Sequence, residues 1–174
     1  MATYPIVEIF HSVQGEAFHS GVPHVFIRFG NCNLRCEWCD TNFLEYEEME
    51  LDDIIDEVLK YNCKRVIFTG GEPCVHPKFL ELLEYARPKV SWLNVTTNGT
   101  RTPKYYAHLL NNLVDHLVFS LHFEYDYQKV VKSILRAAQG SQNKNILVHV
   151  MTVSYTHLRA HETKANLVCR LLLE

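Results

Sequence analysis

The chain has 174 residues, is 47% hydrophobic and 21% charged, and carries a net charge of −3 at pH 7, a profile that suits one globular domain. The mildly acidic balance leaves no basic footprint for nucleic acid and no polybasic patch for a membrane surface. No apolar run approaches the roughly 20 residues of a membrane span, and the opening MATYPIVEIF lacks the charged and apolar regions of a signal peptide. A cytoplasmic setting is the default expectation, and there clustered cysteines bind metal or do chemistry more often than they form disulfides.

In chain order, HVFIRFG (24–30) reads as a strand. LDDIIDEVLKY (51–61) reads as an amphipathic helix, and the acidic run Glu45–Asp53 before it as a solvated loop and helix start. RVIFTGGEP (65–73) is a β-branched run ending in glycines, a strand with a loop at its C-terminal end. HPKFLELLEYAR (76–87) has helical spacing at Phe79, Leu82, Leu83 and Ala86. VSWLNVTTNGT (90–100) is a strand ending in a polar Asn-Gly turn. TPKYYAHLLNNL (102–113) follows as a helix, with Thr102 as N-cap and Pro103 at the first helical position. DHLVFSLH (115–122) is a strand, and DYQKVVKSILRAA (126–138) a helix with Val130, Val131, Ile134, Leu135 and Ala138 on its apolar stripe. NKNILVHVM (143–151) is the last strand of the series. The alternation predicts βα units and a parallel sheet, with ligands at the C-terminal ends of strands centred near Val25, Ile67, Val95, Val118 and Val148.

GNCNLRCEWCDTNF (30–43) crowds Cys32, Cys36 and Cys39 into one loop. A disulfide uses only two of three thiols. A structural zinc site wants four ligands, and the nearest spare thiols, Cys63 and Cys74, lie in other elements. Three thiolates on one loop instead suit a [4Fe–4S] cluster with one iron left open. C-x3-C-x-aromatic-C, with Trp38 as the aromatic, resembles the radical S-adenosylmethionine (SAM) superfamily, whose open iron chelates SAM and whose reductive cleavage of SAM gives a 5′-deoxyadenosyl radical. TGGEP (69–73) matches the GGEP motif of that superfamily. The fold this implies is an α/β radical SAM barrel of the (βα)6 type.

The block from Glu8 to Phe43, EIFHSVQGEAFHSGVPHVFIRFGNCNLRCEWCDTNF, resembles the 7-carboxy-7-deazaguanine synthase family of queuosine biosynthesis. The resemblance implies a carbon–nitrogen lyase that converts 6-carboxy-5,6,7,8-tetrahydropterin to 7-carboxy-7-deazaguanine with loss of ammonia. It carries over as follows. Cys32, Cys36 and Cys39 hold the cluster. Trp38, Asp40, Gly70, Gly71, Glu72 and Ser120 surround SAM. Thr41 offers its hydroxyl to Mg2+, a hard ion that takes oxygen ligands. Val13, Gln14, Gly15, Glu16, Arg28 and Thr69 hold the pterin, Arg28 through its carboxylate. A flavodoxin or ferredoxin as electron donor and a homodimer are implied as well. From the residues alone, Arg28 also fits a merely exposed strand position and Thr41 a simple turn. Ala17 replaces the last glycine of the family's Q-G-E-G, and Leu121-His122 stands where the family shows Pro-Lys after the serine. A glycyl-radical-enzyme activase shares the cysteine spacing but not the V-Q-G-E block or C-D-T. A non-catalytic zinc or iron–sulfur module needs neither GGEP nor the strand–helix alternation.

VSYTHLRAHETKANLVCRLLLE (153–174) resembles no protein family but reads as translated sequencing-adapter DNA. The expectation is a radical SAM core over 1–152, incomplete at its C-terminal side, followed by a foreign tail over 153–174 that carries no functional weight. Resequencing the source locus is expected to give different codons after Thr152. Recovering the same codons in adapter-free DNA contradicts that expectation.

Overall fold

The computed structural model describes residues 2–15, 19–36, 39, 41–151 and the backbone of 166–169. Its elements run β1 (Thr3–Val13), β2 (Pro23–Phe29), β3 (Glu47–Glu50), α1 (Leu51–Lys60), β4 (Arg65–Gly70), α2 (Phe79–Ala86), β5 (Trp92–Thr97), α3 (Pro103–Asn112), β6 (His116–His122), α4 (Tyr127–Gln139), β7 (Ile146–Met151) and β8 (Asn166–Cys169). They form one eight-stranded sheet in the order β3-β1-β2-β4-β5-β6-β7-β8. The five strands expected from the alternation, β2, β4, β5, β6 and β7, pair parallel in that order. Among the described residues no helix is long and apolar enough to cross a membrane.

Period-two alternation divides each parallel strand between two faces. One face carries Val25, Ile27, Phe29, Val66, Phe68, Leu93, Val95, Leu117 and Phe119, all buried in the main core. The helices supply the other half of that core through Ile54 and Val58 of α1, Phe79, Leu82, Leu83 and Ala86 of α2, Tyr106 and Leu109 of α3, and Ile134 and Ala137 of α4. Phe79 meets Phe29 and Phe68 edge-on, at 5.5 and 5.6 Å between ring centroids. That contact fixes the ends of β2 and β4 beside one another. The opposite face carries Arg28, Thr69, Thr96 and Ser120 near the strand ends, and Asn94, His116 and His149 as buried polar residues on the same face. A parallel sheet covered on both faces normally reads as continuous apolar runs, so this polar face marks the side that receives ligands.

The helix boundaries follow their local signals. Thr102 caps α3, its hydroxyl oxygen accepting from Tyr105 N at 3.3 Å, with Pro103 next in line. Asp126 caps α4 by accepting from Lys129 N at 3.2 Å. The stripe of α4 is rotated from the one expected: Leu135 is exposed, and Ser133, Ile134, Ala137 and Ala138 are buried.

Two strands were not expected. β1 pairs antiparallel with β2, and β3 pairs antiparallel with β1. Most of the acidic run taken for a loop is therefore an edge strand. Met49 packs against the core while Glu47, Glu48 and Glu50 stay exposed. One apolar side chain in four leaves no readable alternation, and backbone pairing with Thr3–Ile6 decides the conformation instead. β8 lies in the segment set aside as foreign and pairs antiparallel with β7.

Candidate cofactor site at the strand ends

The cysteine loop leaves β2 at Gly30 and lies across the C-terminal ends of the parallel strands. Three sets of bonds hold it there. Gly30 N donates to Pro5 O and Asn31 N to Phe43 O, both at 2.8 Å. The GGEP segment reaches in from β4, with Gly71 N donating to Phe29 O at 2.8 Å and Glu72 N to Asn31 O at 2.9 Å. From the loop after β5, Asn98 Nδ2 donates to Asn33 Oδ1 at 2.8 Å, while Asn33 Nδ2 donates to the Thr100 hydroxyl at 2.9 Å.

The two glycines are required by distance. Gly70 has a φ of +96°, and a Cβ there would sit 2.6 Å from Phe29 N. A Cβ on Gly71 would sit 2.0 Å from the Asn31 carbonyl oxygen. Only glycine lets these backbones approach so closely.

Cys32, Cys36, Cys39, Thr41, Arg28, Thr69, Gly70, Gly71 and Ser120 line one pocket. All nine are expected site residues. The three loop cysteines are free thiols. Cys32 Sγ accepts from Leu34 N at 3.4 Å, and Cys39 Sγ lies 3.5 Å from Thr41 O. Burial pushes the Cys32 thiol up. Burial, and after it the Glu124 carboxylate, push Cys36 up to about 12. The protein groups alone therefore keep these thiols protonated, and a bound metal must displace the protons. Cys63 and Cys74 are buried away from the pocket: Cys63 Sγ lies 3.4 Å from Pro23 O at the far end of β2, and Cys74 sits behind Glu72. The donor set on the pocket is thus three soft sulfurs from one loop. That fits a cluster with three protein ligands better than a four-ligand zinc site.

Other expected residues fall elsewhere. Glu72 is fully buried and does not line the pocket. Its carboxylate accepts from Cys74 N at 3.0 Å, from the Thr97 hydroxyl at 2.8 Å and from Asn98 N. Burial raises its pKa while these donors favour the charged form. Val13, Gln14 and Gly15 are at the opposite end of β2 from the cysteine loop. Val13 pairs with Pro23, and Gln14 N donates to Val22 O at 2.9 Å. Six residues of strand, about 20 Å, separate Pro23 from Phe29, so the structure does not bring the Val13–Gly15 turn to the pocket. Glu16, Trp38 and Asp40 lie outside the described residues.

Arg28 reaches the pocket with one guanidinium nitrogen donating to Glu8 Oε1 at 2.7 Å. A guanidinium has five N–H donors, so others remain for a ligand. Thr96, Thr97 and Asn98 also line the pocket and were not singled out as site residues. Their signal is visible in the sequence, where the apolar strand turns polar just before Asn98-Gly99, at the end where such sheets bind ligands.

A sequence model of the radical SAM superfamily matches residues 26–154. The chain belongs to the radical SAM superfamily. This radical SAM protein is 44% identical over 98 residues to the 7-carboxy-7-deazaguanine synthase of Haemophilus influenzae, which covers 56% of this chain and 46% of that protein. It is 47% identical over 98 residues to the synthase of Bacteroides thetaiotaomicron, covering 55% of this chain and 52% of that one. It spans about half the length of these curated relatives. The crystal structure of QueE from Escherichia coli superposes with a TM-score of 0.60 at 24% identity, over 78% of this chain and 68% of that one, and so shares the fold. Superfamily membership implies a [4Fe–4S] cluster on Cys32, Cys36 and Cys39 with SAM beside it.

Adding a Cβ at residue 71 must displace the Asn31 carbonyl and with it the start of the cysteine loop. Gly71→Ala is expected to lower stability by about 1–3 kcal/mol and to reduce iron bound per chain after anaerobic reconstitution. Unchanged melting together with unchanged iron content would contradict this packing.

Proposed function

We propose that this radical SAM protein converts 6-carboxy-5,6,7,8-tetrahydropterin to 7-carboxy-7-deazaguanine with release of ammonia. The observation that carries the reading is the convergence of Arg28 and Thr69 on the same pocket as the three loop cysteines and Gly70-Gly71. A cation able to pair with a carboxylate thus stands beside the cofactor position. The relatives named as synthases, at 44% and 47% identity, support the same substrate.

In this reading SAM, bound at the open iron, supplies a carbon-centred radical. The chain's own residues do the rest. Arg28 binds the substrate carboxylate, with Glu8 fixing the plane of its guanidinium from β1. Thr69 holds the substrate edge next to Gly70, and Ser120 at the end of β6 faces SAM. Thr41, largely buried in the pocket wall, offers its hydroxyl to Mg2+. A flavodoxin or ferredoxin donates the electron, and the working form is a homodimer. The reading also assigns residues 1–152 to the radical SAM core and 153–174 to a foreign tail, which the end of the superfamily match at residue 154 supports.

The test is an anaerobic assay with SAM, Mg2+, a one-electron reductant and the pterin. The expected products are 7-carboxy-7-deazaguanine and ammonia. Arg28→Ala is expected to lower kcat/KM by about 10–100-fold, the worth of one or two charge-assisted hydrogen bonds. Cleavage of SAM with the pterin left unchanged contradicts the substrate assignment and directs attention to a protein substrate, as for an activase.

A further inference from the structure

The turn from β6 into α4 touches the cysteine loop in two places. The Tyr125 hydroxyl accepts from Arg35 N at 2.8 Å. One residue further along the loop, Cys36 Sγ lies 3.5 Å from His122 Nδ1. A carboxylate oxygen of Glu124 lies within 4.8 Å of both atoms. The turn thus grips the backbone just before Cys36 and sets a ring nitrogen against its sulfur. His122 also lines the pocket, two residues beyond Ser120 on the ligand-facing side of β6.

The chemistry of the pair follows from what iron requires. A cysteine bound to iron is a thiolate, which has lone pairs and no proton to give. A ring nitrogen at 3.5 Å from that sulfur makes a favourable contact only if it carries the hydrogen. The other arrangement, a lone pair facing a lone pair, is repulsive.

We propose that His122 is a positioning residue for the cluster, donating a hydrogen bond from Nδ1–H to the Cys36 thiolate. The inference rests on the assignment of Cys36 as a cluster ligand. The bond has a direction of effect. Taking up one electron from an external donor adds negative charge that is shared with the ligand sulfurs, and a donor to sulfur stabilises the more negative state. His122 therefore raises the reduction potential of the site. The Glu124 carboxylate beside it works the other way, since a fixed negative charge opposes the added electron. Histidine and glutamate on one turn set the potential between them.

The experiment compares the wild-type protein with His122→Leu and His122→Asn after anaerobic reconstitution with iron and sulfide. Iron and sulfide per chain are counted, and the midpoint potential is read by titration followed by electron paramagnetic resonance. The asparagine amide nitrogen occupies the place of Nδ1 and keeps the donor. The expected result is a lower potential for His122→Leu and a potential near wild type for His122→Asn. Loss of cluster from His122→Leu alone, with His122→Asn loaded as wild type, also supports the donor role. Equal potentials in wild type and His122→Leu overturn it. Equal loss of iron from both variants overturns it too, because His122 then acts as a ligand. A wild-type protein that takes up no cluster overturns the ligand assignment of Cys36 itself, a result distinct from the others.

Discussion

Two backbones meet at the top of the sheet closer than any side chain would allow, and the site is arranged around that meeting. Gly71 N–H donates to Phe29 O and Glu72 N–H to Asn31 O, while a Cβ on residue 71 would fall 2.0 Å from the Asn31 carbonyl oxygen. The strand that ends in GGEP thus clamps the root of the loop that carries the cysteines. Without this clamp the loop would be tied to the sheet only through Pro5 and the side chains beyond β5. A metal site needs its ligands held in fixed relation by the surrounding structure, and here the fixing group is main chain, which carries no rotamer freedom.

Glu72 extends the clamp sideways. A carboxylate is costly to bury unless its oxygens are satisfied, and this one accepts from Cys74 N, Asn98 N and the Thr97 hydroxyl. Those donors belong to the ends of β4 and β5, so one buried group locks two neighbouring strand ends together. Asn98, whose backbone is held by Glu72, uses its side chain to hold Asn33 in the cysteine loop. The chain of contacts runs from GGEP through the turn after β5 to the loop itself. The motif therefore has an architectural task beside its place next to SAM: Gly70 and Gly71 face the pocket, and Glu72 braces it from behind.

Much of this was legible in the sequence because the signals are local. The strands β2, β4, β5, β6 and β7 announce themselves by apolar runs, and the caps Thr102 and Asp126 by their side-chain chemistry. The crowding of three thiols points to a metal whatever the fold. What was not legible depends on pairing between distant segments. β3 has one apolar residue in four and is a strand only because β1 is there to pair with it. The rotation of α4, which exposes Leu135, is set by how the helix lies on β6 and β7, not by its own spacing. The distance of Val13, Gln14 and Gly15 from the pocket follows from the antiparallel β1–β2 pairing, which sends their turn to the far end of the sheet. The contact of His122 with Cys36 joins positions 86 apart in the chain, a separation at which no spacing rule operates.

The central claim is that three loop thiols hold a cluster with one iron left for SAM. The most direct measurement is electron–nuclear double resonance on the reduced, reconstituted protein, with SAM labelled in its amino nitrogen. The account predicts a magnetic coupling between the cluster and that nitrogen, which requires SAM to sit on an iron that no protein group occupies. A loaded cluster that shows no coupling to added SAM would contradict the account.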